Sequence, residues 1–580
     1  MLPKEISTKE NLPSAVQEGN PLSQTERVKN KTSYQLSLTP KNLHSQSIKR
    51  IGSIKLNFSQ ETQGDFYRIL ANTIKSVNNL RDLYIHFWPN VANISNRSLL
   101  YLSQALNALG SLQNLNLTFG DCHKITDEGL EYLSQGLKRA FRVKNLLLSF
   151  FSSDRITDFG VQKISNSLEK LTSLEQFSLG FENFTPLTSI GLKSIGKSLK
   201  KLTSLSNLSL KFIMCPSITA DGLTHLGESL KNLSCRLESL AVEFQFYFEL
   251  SASGLLDFCQ SLKKLTLLKS LSLKFLDRKN VSDSVLSCLV EVFKEITGLQ
   301  SLTLKFVARN VTDVGLGFLY QGLERLTNLQ SISFGFSGGT QLTDKGMACL
   351  SEALKNMTLL KSFSVEFSQC SRLTDTGLDH INKSLMKLEG LQRICFDFFS
   401  GADITNTGLS SVCKTLKSCP SLESLSLSFQ KCLQITDAGL QELSQCLKNL
   451  TLLKVIHINF SACESISDEG LGSLIQSLEN LNSVQCLGLF FSSCPQVTDL
   501  GLKNVIEGLR EMIYLREVCL EFAFCSQIMD KGLTELGQGL KNHPALKTVR
   551  LDFSYCRNIT KAFVESIRQE INNRDCIFLN

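Results

Sequence analysis

The sequence predicts a repeat solenoid of the α/β class, one strand and one helix per unit, and three observations predict it. Phenylalanine recurs at Phe58, Phe87, Phe119, Phe150 and onward to Phe553, spaced 31 residues apart in twelve of sixteen intervals and 29 to 32 in the rest. A fixed period of that size over most of a chain marks a stack of identical units. Within each unit the apolar period changes from two to about 3.6, which separates a strand from a helix.

One unit, from Leu112, reads LQNLNLTFGDCHKITDEGLEYLSQGLKRAFR. Leu115, Leu117 and Phe119 alternate with Asn114, Asn116 and Thr118, so the strand has one apolar face and the ladder Phe belongs to it. Leu130, Leu133 and Leu137 then fall at i, i+3 and i+7, one stripe of a helix. Between them Ile125-Thr126-Asp127 supplies a start signal, repeated as Ile156-Thr157-Asp158, Val311-Thr312-Asp313 and Ile435-Thr436-Asp437. Thr accepts at the N-cap, Asp suits the positive end of the helix dipole, and Ile125 with Leu130 has staple spacing. Gly129 and its equivalents sit in the first helical turn, where glycine costs about 1 kcal/mol relative to Ala. Their recurrence predicts a close approach to the neighbouring coil, with looser packing where Val285 replaces the glycine.

The string LxxLxLxFxxCxxITDxGLxxLxxxLK resembles the leucine-rich repeat, in particular the ribonuclease-inhibitor-like class and the cysteine-containing variant of F-box receptors. The resemblance covers about residues 48 to 580. It implies a right-handed horseshoe of about 17 repeats, with a parallel β-sheet on the concave face and α-helices on the convex face. Two residues more than usual separate the LxxLxL core from the cysteine position, so the strands should be long. Seventeen strands at roughly 4.8 Å spacing give an inner arc on the order of 80 Å. The first unit carries Glu61-Thr62-Gln63-Gly64-Asp65 in place of the start signal, and the last helix, Lys561 to Asn572, leads into an apolar strand at Cys576 to Leu579. Both ends read as caps. Residues 1–47, polar and carrying Pro3, Pro13, Pro21 and Pro40, read as a disordered segment ahead of a single solenoid over 48–580.

No apolar run reaches the roughly 18 to 20 residues of a membrane span, and no signal peptide is apparent, so the expectation is a cytoplasmic protein, with the nucleus open. Eight of the 19 cysteines, among them Cys122, Cys215, Cys370 and Cys432, follow a ladder Phe by three residues, which argues for a reduced, buried structural thiol. The sequons at Asn116, Asn207 and Asn459 lie in expected strands, the wrong place for a glycan. GxSxG, HExxH, GxxxxGK and GxGxxG motifs are missing, and the seven His residues share no slot. We therefore expect no enzyme, no cofactor and no metal site.

Function is sought on the strand residues that flank the ladder Phe and point away from the core. The slot before it is basic in the middle of the chain, at Lys211, Lys274 and Lys305, and acidic later, at Glu366, Asp397, Glu521 and Asp552. Apolar residues interrupt this polar face at Trp88, Phe151, Ile213, Leu276, Val307, Phe399 and Phe490. The candidate partner-binding set is Trp88, Phe151, Lys211, Lys274, Lys305, Glu366, Asp397, Phe399, Phe490 and Glu521. The leading expectation is a protein-binding scaffold that holds another protein on this face. The first alternative is a ubiquitin-ligase substrate receptor, although residues 7 to 47 lack the apolar helices an adaptor-binding domain needs. The second rests on a row of cations at helix ends, including Lys138, Lys200, Lys231, Lys294 and Lys355, which could follow nucleic acid or an acidic filament. Such cations also suit the helix dipole unaided, and a net charge of +7 over 580 residues is too mild to favour the polyanion.

Overall fold

The computed structural model describes residues 52–58, 66–77, 79–87, 94–120, 123–246, 252–277, 281–400, 403–479, 481–560, 567 and 575–579. Residues 1–47, the atypical opening Glu61 to Asp65, Trp88 and Cys122 lie outside them, as does the helix expected over Lys561 to Asn572 except Ile567. The described strands form one parallel sheet, in which β1 (Ser53–Phe58) pairs with β2 (Asp82–Phe87) and each later strand adds to the one before. The last addition is β18 (Asp575–Leu579) against β17 (Thr548–Asp552), the terminal strand foreseen near Cys576. Among the described residues sixteen α-helices, from α1 (Phe66–Lys75) to α16 (Asp530–Asn542), occupy the connections. This is an α/β solenoid of about 17 strand–helix units, the architecture that the resemblance to leucine-rich repeats implies.

The comb is the spine of the sheet. From Phe87 to Phe553 every ladder ring is buried and faces the next, with centroids from 5.1 Å apart at Phe119 and Phe150 to 6.2 Å at Phe181 and Phe212. Offset stacks of this kind contribute about 0.5 to 1.5 kcal/mol each beyond burial. The regularity weakens at Phe306 and Phe336, tilted by 49°, where the spacing shortens to 30 residues. Strands span six to eight residues in β1 to β11 and five in β12 to β17, but pairing continues past the shorter ones. There the Phe398 N–H donates to the Ser428 carbonyl at 2.8 Å and the Ser400 N–H to that of Gln430 at 2.9 Å.

Two residues after the ladder Phe the backbone turns left-handed. Ser152, Asn183, Met214, Gln369, Ser400, Lys431, Ala462, Ser493, Phe524 and Tyr555 all have φ between 51° and 62°, and Gly338 has 69°. A non-glycine residue there costs on the order of 1 kcal/mol or more. The turn delivers the next residue, the periodic cysteine, back under the sheet. Its thiol donates to the carbonyl of the preceding coil's ladder Phe, from 3.1 Å for Cys556 to Phe522 to 3.7 Å for Cys215 to Phe181. Burial pushes the Cys215, Cys370, Cys463 and Cys525 thiols up to about 12, far from reactive thiolate. Among the described cysteines Cys235 is the exposed one. Thiol-reactive dye should therefore label the native protein fastest at Cys235, Cys235→Ser should remove that phase, and the ladder thiols should react only in denaturant. Equal rates for all thiols in native buffer would sink the buried-slot assignment.

The glycine of each helix start has a specific neighbour. Asp127, first residue of α3 (Asp127–Leu137), accepts from the Thr157 N–H and Thr157 hydroxyl at 2.7 Å each, and from the Gly160 N–H at 3.0 Å. Thr157 is the N-cap of the next helix, α4 (Asp158–Leu168), and Gly160 lies in its first turn. One carboxylate thus brackets its own helix to the start of the following one. Asp158, Asp313, Asp344, Asp375, Asp437, Asp468 and Asp530 reach forward in the same way to the next cap. A methyl group at Gly346 would stand 2.7 Å from Asp313 Oδ1, so the glycine makes room for the carboxylate. The close approach read from sequence is this one.

The bracket also sets the direction of the cap. A carboxylate can only accept, so it turns the threonine hydroxyl into its donor and leaves the oxygen lone pairs for the helix. Where Asp precedes, Thr157, Thr188, Thr312, Thr343 and Thr374 each accept from an N–H two residues on. Where Asn96 or Asn406 stands instead, its amide donates to Thr126 or Thr436 at 2.9 Å, and neither threonine caps its own helix. At the exception, Val285 is fully buried, so the looser packing expected there is not observed as exposure. The coil before it carries Ala252 in the Asp slot, so no carboxylate needs the space.

Candidate interaction surface

Strand alternation turns the residues on either side of each ladder Phe to the sheet face opposite the helices. Phe151, Lys211, Lys274, Lys305, Glu366, Asp397, Phe399, Phe490 and Glu521 all stand there half-buried, as do Leu276 and Val307. Ile213, expected among the exposed interruptions, is instead buried at 7 % exposure.

The middle lysines do not form a bare basic patch. Lys211 on β6 (Asn207–Ile213) pairs with Glu182 of β5 (Gln176–Glu182) at 3.4 Å, and Lys274 on β8 (Ser270–Asp277) lies 3.9 Å from Glu243 of β7 (Ser239–Phe246). Lys305 on β9 (Ser301–Val307) crosses an entire strand, β10 (Ser331–Ser337), to meet Glu366 of β11 (Ser362–Ser368) at 3.3 Å. Gly335 lies between them, and a Cβ there would sit 2.9 Å from Lys305 Cγ, so the missing side chain opens the path. Half-exposed pairs of this kind contribute little stability, about 0 to 1 kcal/mol. Their effect is to hold long side chains in one arrangement across neighbouring strands.

Beside Glu366, Asp397 on β12 (Arg393–Asp397) extends the network. Burial and the Glu366 charge raise its carboxyl to about 6, against the opposing pull of the Ser428 hydroxyl and Lys305. Cys395, two residues earlier on the same face, has its thiol raised by burial. The result is a polar line on four strands, the charges of Lys305, Glu366 and Asp397 and the neutral Ser428 hydroxyl of β13 (Ser424–Ser428), with Phe399 two residues beyond Asp397. Farther on, Phe490 of β15 (Cys486–Phe490) lies over Gly488, where a Cβ would meet the ring at 2.8 Å, and the His457 ring stands 6.4 Å away. Burial lowers the His457 imidazole, which favours its neutral form.

No family model matches the chain, and no curated protein matches it. Solved structures do, in 111 chains. Among them is a complex of Rad7 and Elc1 in yeast, 17% identical, with the match covering 75% of this chain and 90% of that chain at a TM-score of 0.42.

Two sets of residues escaped sequence reasoning. Glu182, the partner of Lys211, was missed because it follows a ladder Phe instead of preceding it, and the pairing of Lys305 with Glu366 was missed because the two stand two coils apart. The exposed pair Phe524 and Tyr555 was missed because the position two residues past the ladder Phe carries no fixed residue type. At the helix ends, Lys231, Lys294 and Lys355 pair with Glu228, Glu291 and Glu352 of their own helices, so that row is partly neutralised. Among the described residues no three His, Cys, Asp or Glu side chains gather as metal ligands, and no helix is long and apolar enough to cross a membrane.

Proposed function

We propose that the chain is a non-enzymatic scaffold that holds a protein partner on the sheet face opposite its helices, and that the repeats are of the ribonuclease-inhibitor-like class. The observation that carries the binding reading is the cross-strand line from Lys305 through Glu366 to Asp397, kept open by Gly335 and bordered by Phe399. Charges fixed by neighbours lose little side-chain freedom on docking, and an aromatic ring beside them supplies apolar area. An arc on the order of 80 Å is ample for an interface of about 800 Å² per partner. A row of mixed sign fits a folded protein surface better than a polyanion, which the carboxylates would repel.

The test is affinity capture from the source cell with the wild-type protein and a Lys274→Glu, Phe399→Ser double variant, compared by quantitative mass spectrometry. Loss of a discrete set of partners in the variant, with unchanged far-ultraviolet circular dichroism, is the expected result. Identical recovery would remove this face from consideration.

A further inference from the structure

Phe524 and Tyr555 stand at the left-handed turns of two successive coils, exposed at 55% and 73%. Their rings stack on each other at 4.5 Å with an angle of 12° between planes. Both residues adopt the left-handed backbone, φ 60° and 62°, where a bulky side chain is uncommon and costs stability. The same turn is made elsewhere in the chain by Ser, Ala, Asn, Gln, Met, Lys and Gly, so it requires no aromatic ring. A strained position filled twice running by a large exposed aromatic points outward for its explanation.

The neighbours say what would be recognised. Three residues before each ring, on adjacent strands in register, lie Glu521 of β16 (Glu517–Glu521) and Asp552, with Phe490 next in the same row. Upstream, Glu182, Glu243 and Glu366 each meet a lysine; among the described residues neither Glu521 nor Asp552 has an ion-pair partner. Arg550 is on the same face without reaching either carboxylate, and the Asp552 carboxylate accepts the Ser554 N–H at 2.9 Å. Burial and the Asp552 charge hold the Glu521 carboxyl above its usual range.

We propose that Phe524 and Tyr555, with Glu521 and Asp552, form a docking site for an arginine side chain in an extended segment of a protein partner. A guanidinium is planar, stacks on aromatic faces and pairs with carboxylates through a fork of N–H donors. A nucleobase could also stack on the rings, but the two carboxylates would repel its phosphates. The site names the chemistry of one contact and rests on the protein-scaffold reading above.

The experiment uses the full-length chain and fluorescein-labelled (Gly-Arg)5, (Gly-Lys)5 and (Gly-citrulline)5 peptides in anisotropy titrations at about 0.15 M salt, with a labelled uridine decamer in parallel. Citrulline keeps the arginine shape without its charge. The Phe524→Gly, Tyr555→Gly variant removes both rings while placing glycine where the backbone is left-handed, so its unfolding midpoint should stay level or rise. The arginine peptide should bind most tightly, the citrulline peptide at least about tenfold more weakly, which corresponds to about 1.4 kcal/mol. Both the double-glycine and the Glu521→Gln, Asp552→Asn variants should lose at least that factor. Equal binding of arginine and citrulline peptides, no binding of either, undiminished binding by the double-glycine variant, or tighter binding of the oligonucleotide would each overturn the site. Loss of this site with continued partner loss in the Lys274→Glu, Phe399→Ser variant leaves the scaffold reading standing; the reverse pattern removes the middle of the face and keeps the Phe524 and Tyr555 site.

Discussion

Phe429→Ala is expected to lower the stability of the solenoid by about 3–5 kcal/mol, the largest effect of any single truncation considered. The ring is fully buried and lies 5.8 Å from Phe398 and 5.9 Å from Phe460, so its removal leaves a cavity and also interrupts the stack on both sides. Coils in a solenoid touch only their neighbours, so the damage should be local in sequence and divide the array. Hydrogen exchange should show protection lost first in the coils around Phe398 to Phe460, and urea unfolding should broaden or split into two steps. Phe429→Leu, which fills part of the space, should cost less. A change below about 1 kcal/mol for the alanine variant would mean that the comb is decoration on a sheet held by other contacts.

Asp313→Ala comes second, with an expected loss of about 2 kcal/mol. Its carboxylate accepts from the Thr343 N–H at 2.9 Å, the Thr343 hydroxyl at 2.6 Å and the Gly346 N–H at 3.1 Å, and all three donors belong to the following coil. Asp313→Asn should cost less, yet it should reproduce the arrangement at Asn406, where the next threonine no longer caps its helix. Thermal unfolding of these variants beside Asn406→Asp, expected to gain stability, checks the direction as well as the size. The natural exception supplies a further arm. Ala252→Asp should destabilise alone, since Val285 occupies the space a carboxylate would need, and Val285→Gly in the same chain should recover part of the loss. Additive effects in that pair would separate the aspartate from the glycine and undo the bracket.

Much of the fold could be read from residues within one unit. Leu115, Leu117 and Phe119 alternate with polar residues, so the inward direction of the comb follows from strand geometry alone, and all three are buried. Thr126 and Leu130 likewise mark the start of α3 without help from elsewhere. What resisted reading lies between units. The glycine announced a close approach, but the approaching group comes from about 33 residues earlier, a distance over which a single unit carries no information. Val285 follows a coil with Ala252 in the aspartate slot, but glycine also stands without that aspartate at Gly222 after Ser189 and at Gly254 after Ala220, so the pairing could not be read from sequence. On the sheet face opposite the helices the strand alternation was legible, and the charge pairing was not. Lys211, Lys274 and Lys305 looked basic as a group, whereas each meets a carboxylate of another coil: Glu243 and Glu366 in the same slot, and Glu182 two positions further along its strand. The left-handed turn left no trace because its occupants range from Ser to Tyr, a choice that local sterics discourage and the neighbouring strand enforces.

The aspartate bracket gives the array a polarity that its repetition conceals. Each carboxylate accepts from the cap residue of the coil that follows it, and Asp127, Asp158 and Asp313 also accept from that coil's glycine N–H. During synthesis from the N-terminus, the acceptor for any helix start therefore belongs to a stretch that has already left the ribosome. Every coil arrives at a waiting template and then becomes the template for its successor, so growth of the stack and growth of the chain share one direction.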